Sequence, residues 1–296
     1  MDAALIEAFQ AQRPRLSRLA YRMLGSVAEA EAEDAVQDAW LRWSRAGANL
    51  EGGQGVDDPA AWLVRTTTRL CIDRLRAAKL QREAYRGPWL PEPLIEPLTE
   101  DPLERAEDVS VAFLLALERL SPLERAVFLL HDVFDEGYGS VAETLGRSEP
   151  AVRQLASRAR EHVRDARPRF SVSQAEAARL AAAFMAAAAE GDMAGLSSLL
   201  ARDAILVSDG GGKRKAALRV MVGRADIVRL IEGLAWRGAG LAQAADVRTA
   251  RINGYPGFVV SLGEGLETIA FQPGEDGQIA AIYMVRNPEK LFHVAR

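Results

Sequence analysis

Five prolines lie within the segment GPWLPEPLIEPLTEDP, residues 87 to 102. Proline has no backbone N–H to donate and fixes φ, so this density of prolines rules out both a helix interior and a central strand. We therefore predict a linker over residues 88–102, which divides the chain into modules. A second junction is predicted near Pro168 to Ser173, where an arginine-rich pattern changes to an alanine-rich one.

The two junctions predict three modules, at residues 1–87, 103–169 and 173–296. The first two carry the apolar spacing of helices, whereas the third begins as a helix and continues as short alternating strands with glycine turns. The predicted fold class is therefore multidomain, with two all-α modules followed by an α+β domain. In that domain we predict helices at 175–190, 193–200 and 224–235, and strands at 204–207, 242–251, 256–262, 265–272 and 278–285.

Composition excludes several other classes of protein. The 296 residues are 49% hydrophobic, which is enough for a sizeable core. The longest apolar run, Leu180 to Ala189, is shorter than the roughly 20 residues of a membrane span. The N-terminal MDAALIEAFQ lacks the basic region of a secretory signal, so we expect a cytoplasmic protein without a membrane partner. The single cysteine, Cys71, is predicted to be a small core residue, and no metal or cofactor site is predicted.

The second module contains a predicted helix-turn-helix. Ser121, Pro122 and Glu124 have the spacing of a helix N-cap, a proline in the first turn and a capping glutamate. The following SVAETLGRSEPAVRQLASRAREHVR predicts two short helices joined by a tight turn at Gly146. Arg147 stands where such turns usually carry an apolar residue.

The second helix of this motif has one apolar and one polar face. Val152, Leu155 and Ala159 are predicted to pack inward. The opposite face carries Arg153, Gln154, Ser157, Arg158 and Arg160. These residue types bind phosphates and base edges, so the face favours DNA binding; a helical hairpin with a solvated arginine face is the alternative.

The first module pairs an acidic helix with a basic one. The acidic helix presents Asp34, Gln37, Asp38 and Leu41 on adjoining rows of its surface, which is also typical of a solvated face. The basic helix begins near Pro59 and carries Arg65, Arg69, Arg74, Arg76 and Lys79, a stripe suited to a nucleic-acid backbone. The net charge of −4 does not argue against nucleic-acid binding, because such binding depends on how charge is distributed over the surface. Trp62 is predicted to pack in the core rather than to stack on a base.

In order along the chain, AEDAVQDAWLRW, AWLVRTTTRLCIDRLR and SPLERAVFLL…SVAETLG…AVRQLASRAR resemble regions 2 and 4 of extracytoplasmic-function sigma factors of the sigma-70 family. The resemblance implies that the protein guides bacterial core RNA polymerase to promoter DNA. It implies that the acidic helix docks on the clamp helices of the largest subunit, and that region 4 meets the flap of the second-largest. The basic helix would hold the −10 element, and the helix-turn-helix would read the −35 element.

The third module resembles the cone-shaped SnoaL-like (NTF2-like) fold. With WLPEPL, DGGGK and NPEKL, the chain resembles sigma factors that carry a fused SnoaL-like domain. That resemblance implies a regulatory domain that acts by intramolecular contact with the sigma modules or the linker. The regulatory residues are then Trp89, Leu90, Pro91, Glu92, Pro93, Asp209, Gly210, Gly211, Gly212, Lys213, Asn287, Pro288, Glu289, Lys290 and Leu291.

The glycines of DGGGK are not a Walker-type phosphate loop, because Val207 and Arg214 occupy the positions of its first glycine and its Ser/Thr. We predict instead a loop at the mouth of the cone, with Asp209 and Lys213 available for a partner. A solvated surface turn is the alternative.

Two functions from other classes stay open from the residues alone. The cone fold also hosts enzymes, and Asp203, Asp246, Tyr283 and His293 are candidate catalytic groups by residue type, although no spacing singles out a pair. Catalytic residues are therefore not predicted. A ligand-sensing helix-turn-helix regulator without polymerase contact is the other alternative, and the region 2 pattern argues against it.

Overall fold

The computed structural model of the chain describes residues 3–25, 31–48, 56–83, 85–96, 110–163, 172–237, 241–274 and 276–295. The chain forms two compact units, one from Met1–Ala84 with Phe113–Ala166 and the other from Tyr85–Ala112 with Arg167–Arg296. Both predicted all-α modules thus belong to the first unit, and the described part of the linker belongs to the second. Linker residues 97–102 lie outside the described residues. No helix in the described ranges is long and apolar enough to cross a bilayer.

Three helices open the first unit: α1 (Ala3–Leu24), α2 (Glu31–Ala48) and α3 (Pro59–Glu83). They pack around fully buried residues such as Leu16 and Leu63. The rings of Trp43 and Trp62 meet with centroids 5.3 Å apart, so Trp62 is a packing residue, as predicted. Cys71 is buried, as predicted, and this burial raises the pKa of its thiol to about 12.

Four further helices are described after the linker: α4 (Val111–Leu117), α5 (Pro122–Phe128), α6 (Tyr138–Leu145) and α7 (Glu149–Val163). Ser121 caps α5 in a capping box with Glu124, as predicted, and α5 continues into a π-helical turn, Leu129–Val133. Gly146 ends α6 in the left-handed conformation, with φ 62°, which permits the tight turn into α7. The predicted helix-turn-helix is confirmed.

A buried arginine ties the two helical modules of the first unit together. Arg125 on α5 is 2% exposed, and its Nη1 donates to the backbone carbonyl of Met23 at the end of α1, at 2.6 Å. The same nitrogen donates to Glu118 Oε1 at 2.9 Å. A guanidinium removed from water needs such partners, so this contact fixes how α1 meets α5.

The second unit is a seven-stranded sheet with helices on one face. The helices are α8 (Gln174–Glu190), α9 (Met193–Leu199) and α10 (Arg224–Trp236). The strands are β1 (Ile95–Glu96), β2 (Leu200–Asp209), β3 (Met221–Val222), β4 (Asp246–Ile252), β5 (Tyr255–Leu262), β6 (Gly265–Pro273) and β7 (Ile279–Val285). Their order is β1-β4-β5-β6-β7-β2-β3. The predicted α+β fold is confirmed. We expected the sheet to be antiparallel throughout, but β2 and β7 run parallel, which the long connection between them permits.

The two faces of this sheet pack against different parts of the unit. Ile269 and Phe271 belong to the core shared with the helices, as does Ile282. Successive side chains of a strand alternate between faces, so Tyr283 and Val285 point away from the helices. Asp209 of β2 lies on the same side, since it falls on the opposite face from core residue Leu206, and it accepts a hydrogen bond from the N–H of linker residue Leu90, which is fully buried.

The linker also adds an edge strand that the sequence analysis missed. In β1, Ile95 pairs with Ile252 of β4 in antiparallel register. The pairing begins at Leu94 and Asn253: the Asn253 N–H donates to the Leu94 carbonyl at 2.9 Å, and the Leu94 N–H donates to Asn253 Oδ1 at 3.2 Å. A strand two residues long at a sheet edge is compatible with the flanking prolines.

Replacing Arg125 by Met tests the tie between α1 and α5. The variant leaves the Met23 carbonyl and the Glu118 carboxylate without this donor, and we expect the free energy of unfolding of the first unit to fall by about 3 kcal/mol. Calorimetric unfolding measures this loss, with exposed Arg119→Met as the control. An Arg125→Met transition as stable as that of the control would contradict the assignment.

Candidate nucleic-acid interface and linker contacts

The polar face of α7 is exposed. Its predicted DNA-binding residues are all on the solvent side: Arg153, Gln154, Ser157, Arg158 and Arg160. The opposite side is closed by Val152, Ala156 and Ala159, which are fully buried, while Leu155 is half-buried. The helix therefore presents a continuous polar surface, and Ala156 occupies the core position that we predicted for Leu155.

These side chains differ in how they are restrained. Arg153 forms an ion pair with Glu149 at 2.5 Å, and its guanidinium lies 4.3 Å from the ring centroid of Tyr138. Arg160 donates to Asp132 at 2.6 Å, a hydrogen bond that raises the pKa of Arg160. In the described part of the chain Arg158 forms no hydrogen bond or ion pair. Arg153 and Arg160 would have to exchange an existing ion pair for a phosphate contact, whereas Arg158 would not.

The acidic face of α2 is mostly open. Asp34 and Gln37 are exposed, and Leu41 is 43% exposed. Asp38 is half-buried and accepts a hydrogen bond from Arg74 of α3 at 2.7 Å. Three of the four predicted polymerase-binding side chains are therefore free to meet a partner, and the fourth is engaged within the unit.

The basic stripe of α3 is largely occupied. Arg65 forms an ion pair with Glu143, and Arg69 Nε donates to the Thr144 carbonyl at 3.3 Å. Both partners lie on α6, the first helix of the helix-turn-helix. Arg74 bonds Asp38, and Arg76 forms an ion pair with Asp73 at 3.4 Å. The side chain of Lys79 lies outside the described residues.

In the second unit a buried carboxylate gathers three distant segments. Asp209, at the end of β2, is fully buried and accepts hydrogen bonds from Tyr85 Oη at 2.5 Å, the Leu90 N–H at 2.8 Å and Lys290 Nζ at 2.8 Å. The Gly211 N–H donates to it as well, at 3.0 Å. We call Tyr85, Leu90, Asp209, Asn287 and Lys290 the linker clasp. The partner of Asp209 is the linker of the same chain, which is one of the two intramolecular partners expected for DGGGK.

The other members of the linker clasp complete its hydrogen bonding. Lys290 is 8% exposed; its ammonium also donates to the Leu90 carbonyl and lies 4.1 Å from the ring centroid of Trp89. Asn287 Nδ2 donates to Tyr85 Oη at 3.0 Å. Burial and the hydrogen bond to Asp209 raise the pKa of Tyr85, so its phenol stays protonated and donates.

The remaining residues predicted as regulatory surround the linker clasp. Gly211 has φ +60°, and a Cβ there would overlap the Asn287 side chain. Lys213 and Glu289 form an exposed ion pair. Around these contacts Pro91, Pro93, Gly210 and Leu291 are buried, Glu92 is half-buried, and Gly212 and Pro288 are exposed.

The candidate catalytic groups do not come together. Asp203 and Asp246 are exposed, Tyr283 donates to Gln272 at 2.8 Å, and His293 bonds the Pro93 carbonyl at 2.8 Å. Among the described residues there is no group of three or more potential metal ligands. A further acid, Glu267, lines a pocket of the second unit and was not predicted as a site residue. Its alternation with Ile269 and Phe271 was the available signal in the sequence.

Comparison with known proteins decides the family. The model of Sigma-70 region 2 matches residues 8–81, and that of Sigma-70, region 4 matches residues 110–163. The ECF RNA polymerase sigma factor SigJ of Mycobacterium tuberculosis (strain ATCC 25618 / H37Rv) is 40% identical over 96% of this chain and 92% of its own length. This chain is an extracytoplasmic-function sigma factor.

Other relatives agree with this assignment. The crystal structure of M. tuberculosis SigJ aligns with a TM-score of 0.76 at 37% identity and covers 97% of this chain and 98% of that one. The probable ECF sigma factor SigI of M. tuberculosis (strain CDC 1551 / Oshkosh) is 36% identical over 65% of this chain and 66% of its own. The sigma factor thus consists of region 2 (α1 to α3), region 4 (α4 to α7) and a C-terminal α+β domain.

Replacing Asp209 by Asn tests the linker clasp. The variant leaves the buried Lys290 ammonium without its counter-charge, and we expect the second unit to lose about 3 kcal/mol of stability. The Leu90 amide should then exchange hydrogen faster. Glu289→Gln is the control, because its exposed ion pair with Lys213 contributes about 1 kcal/mol or less. Equal exchange at Leu90 in both variants would refute the role of Asp209.

Proposed function

We propose that α7 of this sigma factor enters the major groove at the −35 element, and that α3 with the loop before it holds the −10 element. Asp34, Gln37 and Leu41 of α2 would dock on the clamp helices of the largest polymerase subunit, with region 4 on the flap of the second-largest. The observation that carries this proposal is the exposed polar face of α7, where Gln154 and Arg158 have no competing partner among the described residues. Because polymerase and promoter DNA are in the cytoplasm, we infer that the protein acts there.

We further propose that the contact between α3 and α6 is a closed arrangement that has to open during promoter binding. Arg65 and Arg69 cannot bind the backbone of the −10 element while they bond Glu143 and the Thr144 carbonyl. Both contacts are polar and partly exposed, so releasing α6 from α3 costs little by itself. A full separation of the two modules would also break the buried contact of Arg125 with the Met23 carbonyl, which polymerase and DNA would have to offset. Polymerase and DNA would then shift the population toward the open arrangement by binding it better.

The fused domain is proposed to regulate the sigma modules through the linker. Residues 85–96 follow α3 directly, and they lead through the rest of the linker toward α4. The linker clasp and β1 fix this segment on the second unit, so they shorten the free chain between the two DNA-binding modules. Since the domain is on the same chain, its effective concentration is about millimolar and a weak contact suffices. This proposal keeps the predicted modules at residues 1–87, 103–169 and 173–296, except that residues 85–87 lie with the second unit.

We propose that the fused domain performs no catalysis in this role. Asp203 and Asp246 face solvent, and the hydroxyl of Tyr283 is bonded to Gln272, so no acid–base pair is assembled from the predicted candidates.

Replacing Arg158 by Ala tests the DNA contact. We expect duplex affinity for the −35 element to fall about fivefold, with a salt dependence reduced by about one phosphate contact. Arg153→Ala should weaken binding less, because Arg153 is already paired with Glu149. Filter binding measures both, and Arg179→Ala, an exposed arginine of α8, is the control. Wild-type affinity and salt slope for Arg158→Ala would count against the proposed interface, and core polymerase binding should be unchanged.

Promoter-specific transcription with core polymerase tests the regulatory proposal. A chain ending at residue 286 lacks Asn287 and Lys290, and Asp209→Asn breaks the same linker clasp without truncation. We expect both to change transcript yield at least about twofold and in the same direction, since both free the linker. Glu232→Gln, which removes an exposed acid from α10, should match the wild type. If both variants behave as the wild type, or change yield in opposite directions, the proposed regulation is wrong.

A further inference from the structure

The second unit contains a pocket of about 630 Å³, partly open to solvent, between the inner face of its sheet and helices α8 and α10. Its walls are mainly apolar and include Phe184, Leu206, Leu230, Ile231, Ile269 and Ile282. A cavity of this size and lining holds a small organic molecule and removes most of its surface from water.

One carboxylate interrupts the apolar walls. Glu267 lies on β6 in alternation with Ile269 and Phe271, which places it on the inner face of the sheet. It is 2% exposed, and Arg286 Nε donates to its Oε2 at 2.8 Å. Within the described ranges no group donates to Glu267 Oε1. Burial raises the pKa of Glu267, and the attraction of Arg286 and of Arg214 opposes that shift.

The neighbouring charges determine which ligand suits this carboxylate. All three nitrogens of the Arg286 guanidinium are committed: besides Glu267, it donates to the Lys215 carbonyl and to Glu264 Oε2, the latter at 3.3 Å. A ligand anion would therefore meet two carboxylates and no free donor from Arg286. Lys215 and Arg237 also line the cavity, but both are exposed, so water and salt screen their charges.

We propose that this cavity is a binding site for a small apolar amine, with the body of the ligand against the apolar walls and its ammonium on Glu267 Oε1. A charged hydrogen bond that is partly shielded from water is stronger than a neutral one, and Glu267 Oε1 can accept it without giving up the bond from Arg286 to Oε2. The proposal does not depend on the proposed regulation through the linker clasp, because binding is measured on its own.

The test uses three probes with one rigid apolar body: 1-adamantylamine, 1-adamantanol and adamantane-1-carboxylate. Titration calorimetry on the full chain should give one site for the amine, with a Kd at least about tenfold lower than for the alcohol or the carboxylate. Glu267→Gln should bring the amine to the level of the alcohol. Glu232→Gln removes an exposed acid from α10 and should leave all three probes unchanged.

A second variant tests whether the amine binds in this pocket, and it does so independently of whether Glu267→Gln folds correctly. Ala188→Phe fills the cavity from α8 and should abolish binding of the amine and the alcohol, while the circular dichroism spectrum is retained. Absence of amine binding to the wild type, equal affinity for the three probes, or amine binding that survives Ala188→Phe would each overturn the proposal.

Discussion

The buried ion pair between Asp209 and Lys290 is the contact on which the second unit depends. Removing two charges from water is costly, and here each charge is compensated: the carboxylate accepts four hydrogen bonds, and the ammonium meets a carboxylate, a carbonyl and two aromatic rings. The donors come from the linker, the end of β2 and the segment after β7. The ion pair between Asp209 and Lys290 therefore holds the proline-rich linker against the fused domain.

Strand β7 links the linker clasp to the cavity. Ile282 and Met284 line the cavity, whereas Tyr283 and Val285 face the side on which the linker lies. At its end, the Arg286 N–H donates to the Asp209 carbonyl at 2.7 Å, and the Arg286 side chain bonds Glu267. The same few residues thus hold the acid of the cavity and the carboxylate that binds the linker, so a shift of this strand end affects both.

Elements that depend on neighbouring residues, such as helix caps, turns and alternating strands, can be predicted from the sequence. Pairings between residues far apart in the chain cannot. The Ser121 cap and the left-handed Gly146 define the helix-turn-helix, and alternation locates β5 to β7 to within a residue or two. The parallel pairing of β2 with β7, the edge strand β1 and the contact between Arg65 and Glu143 depend on residues far apart in the chain. Helical spacing in the sequence predicts the exposed face of α7. It does not predict that the arginines of α3 bond with residues of α6.

The central claim is that the linker clasp restricts the separation of regions 2 and 4. Its most direct test is a distance distribution between spin labels at Arg76→Cys on α3 and Glu161→Cys on α7, both exposed positions; buried Cys71 should stay unlabelled. We predict one narrow distribution in the otherwise wild-type chain and an added population at longer distance when Asp209→Asn is introduced. Identical narrow distributions in the two proteins would contradict the claim.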